Sequence, residues 1–130
     1  MSEFSEQVLE AAAREREVDL TTYGRKTGRP HRTVIWVWGD DDRIFIRSGG
    51  GMGRDWPQNL VAQGRAVLHV GGLDVPVVPR HVTDLTEVRS LHPLAVRKYG
   101  SGAESSIGTG DTPTPAEGAT FQLFPDPSAT

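Results

Sequence analysis

A chain of 130 residues with a formal net charge of −3 and no cysteine has room for one domain and excludes a disulfide scaffold, a thiol nucleophile and a cysteine-based zinc site. The acidic balance argues against nucleic-acid binding. Yet seven of the fourteen Lys and Arg residues fall between Arg25 and Arg54, a local positive charge that suits a small anionic ligand better than a polyanion. The first residues lack the basic start and apolar run of a signal peptide, and no apolar stretch has the length to span a bilayer, so the expectation is a cytoplasmic protein without membrane association.

Residues 1–17 are expected to form an N-terminal helix, with Phe4, Val8 and Ala11 or Ala12 at helical spacing and Ser2 as the N-cap. Residues 18–23 are rich in β-branched side chains and read as a first strand ended by Gly24. The loop that follows carries Arg25, Lys26, Arg29 and Arg32 among glycines and a proline. Such a loop fits an anion site, because multi-donor cations sit on backbone that glycine lets approach a ligand. It fits a solvated hairpin equally well.

Strand two, residues 32–38, places Val34, Trp36 and Trp38 on one face and Thr33, Ile35 and Val37 on the other. Both faces need cover. One can fill a core, so the other is expected to meet a helix, a ligand or a partner subunit, and a homodimer is the expected assembly. A turn at residues 39–42 returns the chain as strand three, residues 43–47, with Ile44 and Ile46 inward and Phe45 outward. The glycine run at 48–53 is either a linker or a ledge where a flat ligand meets bare backbone. Its place between two elements of one domain favours the ledge.

Asp55 is expected to cap a short helix over residues 56–63, and a second hairpin turns about Gly71-Gly72. Pro76 and Pro79 assign the later strand of that hairpin to an edge or a bulge. Asp84 with Glu87 three residues on resembles a capping box, and Pro93 should kink the helix that follows. Residues 101–118 read as a flexible loop, a lid or a disordered stretch, 119–125 as the last strand and 126–130 as a frayed tail. Six strands with two or three helices make a mainly β (α+β) domain, a small barrel with helical flanks.

No Walker loop, dinucleotide fingerprint or paired-carboxylate signature is present, and the four histidines show no metal spacing. No metal is therefore expected. A chain with an anion loop, a glycine ledge and aromatics but no acid–base machinery suggests that a cofactor carries the chemistry. Trp36 and Trp56 suit packing beside a ring and suit core or interface filling as well.

The run Gly24-Arg25-Lys26-Thr27-Gly28-Arg29-Pro30, followed some thirty residues on by Asp55-Trp56-Pro57-Gln58-Asn59-Leu60, resembles the split β-barrel flavin and deazaflavin proteins. The likeness is to the deazaflavin-dependent nitroreductases and spans about residues 20–70. It implies a six-stranded split β-barrel of the FMN-binding, pyridoxamine-oxidase-like type, and an oxidoreductase that uses coenzyme F420 to reduce a small nitro, quinone or enone acceptor. An FMN enzyme on the same fold and a non-enzymatic cofactor-binding or interaction domain are the alternatives.

By the same resemblance the basic loop holds the cofactor's phosphate or tail through Arg25, Lys26, Thr27 and His31 or Arg32. Val34, Trp36, Arg47, Ser48, Gly49, Gly50, Trp56 and Asn59 would line the ring. Members of that group often carry a lysine in the glycine stretch, which Arg47 or Arg54 would have to replace here. Ser48 is the one candidate for a hydrogen bond to the acceptor. The C-terminal tyrosines that meet substrate in the nitroreductases have no match in residues 101–118.

Overall fold

The computed structural model describes residues 4–104 and 107–129. Six antiparallel strands close into a barrel: β1 (Glu17–Tyr23), β2 (Pro30–Gly39), β3 (Ile44–Arg47), β4 (Ala66–Val70), β5 (Leu73–Val82) and β6 (Thr120–Pro125). They follow one another around the ring as β1-β2-β3-β6-β5-β4, with β4 paired back to β1. Leu20, Ile35, Val37, Ile44, Ile46, Leu68, Val77, Phe121 and Leu123 project inward into one core, as a period-two alternation requires of strands with one face in a barrel.

The helices differ from the expectation in number and bounds. Among the described residues there are five short ones: α1 (Glu6–Arg14), α2 (Asp55–Gln63), α3 (Leu85–Ser90), α4 (His92–Tyr99) and α5 (Ser101–Glu104). Ser5 caps α1, its Oγ accepting from Val8 N at 3.3 Å; Ser2 lies outside the described residues. Arg54, not Asp55, occupies the N-cap of α2, and no side chain bonds that helix end. Asp84 caps α3 by accepting from Thr86 N, as expected. The capping box is not completed, because the Glu87 carboxylate is taken by Arg80. Pro93 sits in the first turn of α4 and does more than kink: the helix restarts there.

β5 resolves the meaning of its two prolines. Its first half, Leu73 to Val77, pairs with β4, and its second half, Val77 to Val82, pairs with β6. Pro76 stands opposite Val67 of β4 and Pro79 opposite Leu123 of β6. Each proline falls in only one of the two ladders, and Pro76 O still accepts from Asp126 N at 3.0 Å just beyond β6. The strand itself is not an edge.

The outer face of β2 and β3 is covered by the chain's own helices. Trp38 and Phe45 pack with Leu91, Ala95, Tyr99 and Ala103 in a second apolar cluster. Val34 and Trp36, further along the same face, remain 59% and 40% exposed. α1 is stapled on by Lys98, whose Nζ donates to Ala12 O, Glu15 O and Val37 O at 2.6, 2.6 and 2.5 Å. Burial pushes this amine down to about 8, with the nearby Arg16 charge adding to the effect. Beside it the Tyr99 hydroxyl accepts from Val37 N at 3.1 Å and donates to Arg16 O at 2.6 Å.

Candidate functional site

Two adjoining depressions share Thr33, Arg54 and Trp56 in their walls. The larger, about 650 Å³, is a cleft between the outer face of β2–β3 and the α4–α5 corner. The smaller, about 430 Å³, is a basic lobe under the loop between β1 and β2.

The lobe is built locally. Gly28, at φ +73°, lets the loop fold back so that Gly28 N donates to Gly24 O and Gly24 N to Arg29 O, both at 2.8 Å. Gln63 of α2 holds Gly24 O as well, at 2.8 Å. A side chain at Gly24 would crowd Thr27 Oγ1 and His31 Nε2, at 3.0 and 3.3 Å from its Cβ. Glycine at 24 thus lets those two polar groups converge beside Lys26. Thr22 forms the floor, fully buried, and its Oγ1 has no hydrogen-bond partner among the described residues. A buried hydroxyl without a partner is costly unless something polar reaches it.

Not every expected residue points at a ligand. Asn59 is 3% exposed, and its Oδ1 accepts from Arg25 N at 3.1 Å and Arg25 Nη1 at 2.8 Å, so it organises the loop. Arg25 also faces Asp55 at 3.5 Å, which offsets part of its charge. Arg32 is not brought to the site: strand alternation sends it to the opposite face from His31 and Thr33, where it pairs with Asp19 at 2.7 Å. Arg25, Lys26, Thr27, His31, Arg54, Trp56 and Asn59 all line the lobe.

The cleft gathers Val34, Trp36, Arg47, Ser48, Gly49, Gly50, Arg54 and Trp56 of the expected set. Trp36 is stacked on Tyr99, centroids 4.3 Å apart and planes at 13°, so one face of its ring is already covered. Trp56 tilts against the core residue Phe121 at 6.1 Å. Ser48 is 3% exposed and donates its hydroxyl proton to Gly51 O at 3.0 Å; that donation closes the glycine turn, and the expected donor role toward an acceptor loses its proton. The glycines divide by position. A Cβ at Gly49 would meet nothing within 4 Å, whereas Gly51 has φ +75° and a Cβ there would stand 2.8 Å from Pro115 Cβ and 2.9 Å from its carbonyl oxygen. Gly49 is bare ledge, and Gly51 is a structural turn.

Arg47 lies in the cleft wall with its Nε on Thr120 Oγ1 at 2.8 Å and its guanidinium 5.1 Å from the Trp38 ring centroid. Burial pushes its pKa down, opposed by the charge of Glu117. The Trp38 indole N–H is buried beside it with no acceptor among the described residues. Glu117 pins the far wall. Burial alone would raise its pKa, but hydrogen bonds from Arg89, Thr114 N and Gly108 N hold it at about 2, with Arg89 Nε at 2.9 Å. This clasp and the Arg89 bond to Gly110 O at 2.8 Å turn residues 107–119 into a fixed wall whose Thr114, Pro115 and Ala116 face the cleft. The expected flexible loop is therefore anchored over these residues.

The sequence reading missed Tyr99, Ala95, Glu17 and the 114–116 wall. Tyr99 ends a helix in the sequence pattern, and nothing local there signals its stacking on β2. His69 and His81 take structural bonds, to Thr21 and Asp74 and to Gly118 O. Among the described residues no group of three or more His, Cys, Asp or Glu could hold a metal ion, and no helix is long and apolar enough to cross a membrane.

A closed six-stranded antiparallel barrel, with a glycine-lined cleft adjoining a basic lobe, defines a split β-barrel fold. Within that class the chain belongs to the family described as "Uncharacterized protein conserved in bacteria (DUF2255)", whose model matches residues 8–123. No curated protein matches it. Among solved structures it is similar to an F420-H2 dependent reductase (FDR-A), at 23% identity and a TM-score of 0.63 over 84% of this chain and 94% of that one. It is also similar to HutZ, the heme storage protein from Vibrio cholerae, at 12% identity and a TM-score of 0.67 over 90% and 86% of the two chains. A third structure, described as a domain-swapped dimer, is 19% identical with a TM-score of 0.62 over 84% and 80%. At these identities the likeness shows the fold.

Proposed function

We propose that the protein is an oxidoreductase that holds coenzyme F420 along the joined groove and delivers its hydride to a small organic acceptor of the nitro, quinone or enone type. The observation that carries this reading is the continuity of the two depressions through Thr33, Arg54 and Trp56: one ligand with a flat ring and a long anionic tail fits both. The deazaflavin, when bound, supplies the hydride chemistry. The chain's own part is orientation and charge. Lys26 and His31 would meet the phosphate, with Arg25 behind them, and the unpartnered Thr22 hydroxyl on the lobe floor fits a phosphate oxygen. Bare backbone at Gly49 would meet the ring, and the buried Arg47 guanidinium would favour negative charge developing on an acceptor in the cleft. The F420-H2 dependent reductase among the similar folds supports the choice of cofactor.

The test is a thermal-shift panel with F420, FMN, FAD and haem, since a ligand that binds only the folded state raises the apparent melting temperature. F420 should give the largest shift, and Lys26→Ala should weaken its binding by about 1–3 kcal/mol, the range for a hydrogen bond to a charged group. A shift from FMN alone would move the reading to an FMN enzyme on the same fold. No shift from any of the four would leave an interaction domain. We further infer a homodimer, because Val34 and Trp36 on β2 stay exposed after α4 has covered Trp38. Sedimentation at micromolar concentration should find two copies, and a monomer there would overturn the inference.

A further inference from the structure

A threonine, a histidine and an aspartate that lie far apart in the sequence meet on the outer wall of the barrel. β4 pairs back to β1 and forward to β5, so His69 stands opposite Asp19 on one side and Asp74 on the other. Thr21 is two residues from Asp19 and shares its face of β1. Closure of the ring is what joins them. Thr21 Oγ1 lies 2.7 Å from His69 Nε2, and His69 Nδ1 lies 2.7 Å from Asp74 Oδ1. A carboxylate can only accept, so Nδ1 carries the proton donated to Asp74, and in the neutral ring Nε2 accepts from the Thr21 hydroxyl. These bonds tie three strands together, and they also have the order in which a carboxylate orients an imidazole that draws on a hydroxyl proton. None of the three residues lines either depression, and His69 is two strands away from the exposed Val34.

We propose that Thr21 is a nucleophile that takes the acyl group of small activated carboxylic esters, with His69 as its general base and Asp74 positioning the imidazole. Thr21 Oγ1 bonds to the ester's carbonyl carbon while its proton passes to His69 Nε2. The bond from that carbon to the leaving oxygen then breaks, and the leaving oxygen takes the proton from Nε2. Water, giving a proton to the same nitrogen, attacks the acyl-threonine; the released carboxylic acid leaves the hydroxyl restored. The charge that develops on the carbonyl oxygen has a donor at hand. Arg32 stands directly opposite Thr21 in the β1–β2 ladder; its Nε is held by Asp19 at 2.7 Å, and its two Nη groups bond nothing among the described residues. Threonine is stiff at χ1 on a strand, so the hydroxyl is held toward its base. Neither depression reaches this wall, so binding adds little, and the rate should rise linearly with ester concentration without saturating.

The experiment treats the full chain, with no cofactor added, with p-nitrophenyl acetate, following nitrophenolate release and mapping acetyl groups by mass in acid-quenched samples. Wild type should carry an acetyl on the Thr21 peptide that hydroxylamine removes, which separates an ester on oxygen from an amide on Lys26. Thr21→Ser should keep the label and Thr21→Val should lose it. His69→Gln should slow labelling by about a hundredfold or more, the low end for a lost general base. Asp74→Asn should slow it by about tenfold, less than in a buried triad because water surrounds this carboxylate, and Asp74→Glu should recover most of the rate; a merely structural aspartate would show no such recovery. Arg32→Ala should slow it as well. Should His69→Gln fail to fold by its melting curve, the two variants at the exposed Asp74 carry the test. No hydroxylamine-sensitive acetyl at Thr21 in wild type, or equal labelling in His69→Gln or in Asp74→Asn, would overturn the proposal. So would nitrophenolate release that survives Thr21→Val and not His69→Gln, because the imidazole would then be the nucleophile.

Discussion

The basic lobe draws Arg25, Lys26 and His31 from one stretch, residues 24–31, with Arg54 and α2 behind it, whereas the cleft collects walls from β2, β3, the glycine turn, α4, α5 and the 114–116 segment. The lobe's groups are exposed and adjustable. The cleft's are held through long-range contacts to buried partners: Arg47 through Thr120, Trp36 through Tyr99, Thr114 to Ala116 through Glu117. A loop of charges can change its ligand by substitution with little cost to the fold, because exposed positions carry little stability. A wall made by buried partners cannot. Binding and folding should therefore separate in the lobe and travel together in the cleft.

The largest effect should come from the clasp. Glu117→Gln removes one partner of a buried pair and should cost roughly 3 kcal/mol, the low end for such breakage because Arg89 keeps some contact with water. Urea denaturation reads the loss, and the cleft ligand should weaken in parallel. The same clasp sets an acid limit. Its carboxyl is held at about 2 in the fold against an ordinary value of 4.5, so the unfolded chain takes the proton first as pH falls. The stabilisation is complete above about 4.5 and is lost as pH falls toward 2. A melting temperature that does not fall in that window, or that falls equally in Glu117→Gln, would contradict the assignment.

Next come the glycines. Gly51→Val forces a branched side chain into φ +75° and against Pro115, and should cost about 1–3 kcal/mol of stability. Gly49→Val meets nothing within 4 Å; it should melt like wild type and lose F420 affinity in titration. If both variants melted normally, the division between turn and ledge would be wrong. Tyr99→Phe keeps the ring against Trp36 and removes the hydroxyl bonds to Val37 and Arg16, a loss of about 1 kcal/mol. Its thermal shift with inorganic pyrophosphate should match wild type, since the lobe does not depend on that wall. The smallest effect belongs to Arg32→Ala, within about 0.5 kcal/mol for an exposed pair, with ligand affinity unchanged.

Elements written in local chemistry could be read from the sequence. Gly71 and Gly72, at φ +59° and +75°, make the two-residue turn their types suggest; Asp84 caps, Pro93 breaks, and Ile44 and Ile46 face inward while Phe45 does not. The loop was legible for the same reason, except at Arg32, where one step along a strand decides the face. What failed depended on contacts that the residue pattern does not announce. Ser48 reads as a spare hydroxyl until Gly51 O, three residues on, is seen to hold its proton, and residues 107–118 read as slack until Glu117 is seen to reach Arg89. Pro76 and Pro79 pointed to an edge or a bulge, and only the ring order shows a strand that changes neighbours at Val77. Asp55 and Asn59 carried the right motif, yet their side chains serve Arg25.

The cradle around Lys98 has a practical side. The chain has only two lysines, and they sit in opposite surroundings: Lys98 gives all three amine hydrogens to backbone carbonyls beneath α1, while Lys26 is exposed at the lobe. An ammonium that gives all three hydrogens to carbonyls must break those bonds to lose its proton and meet a reagent. Amine-directed labelling should then mark the Lys26 peptide well before the Lys98 peptide, and whatever fills the lobe should protect it. A single mass shift, followed against ligand concentration, becomes an occupancy gauge already built into the protein.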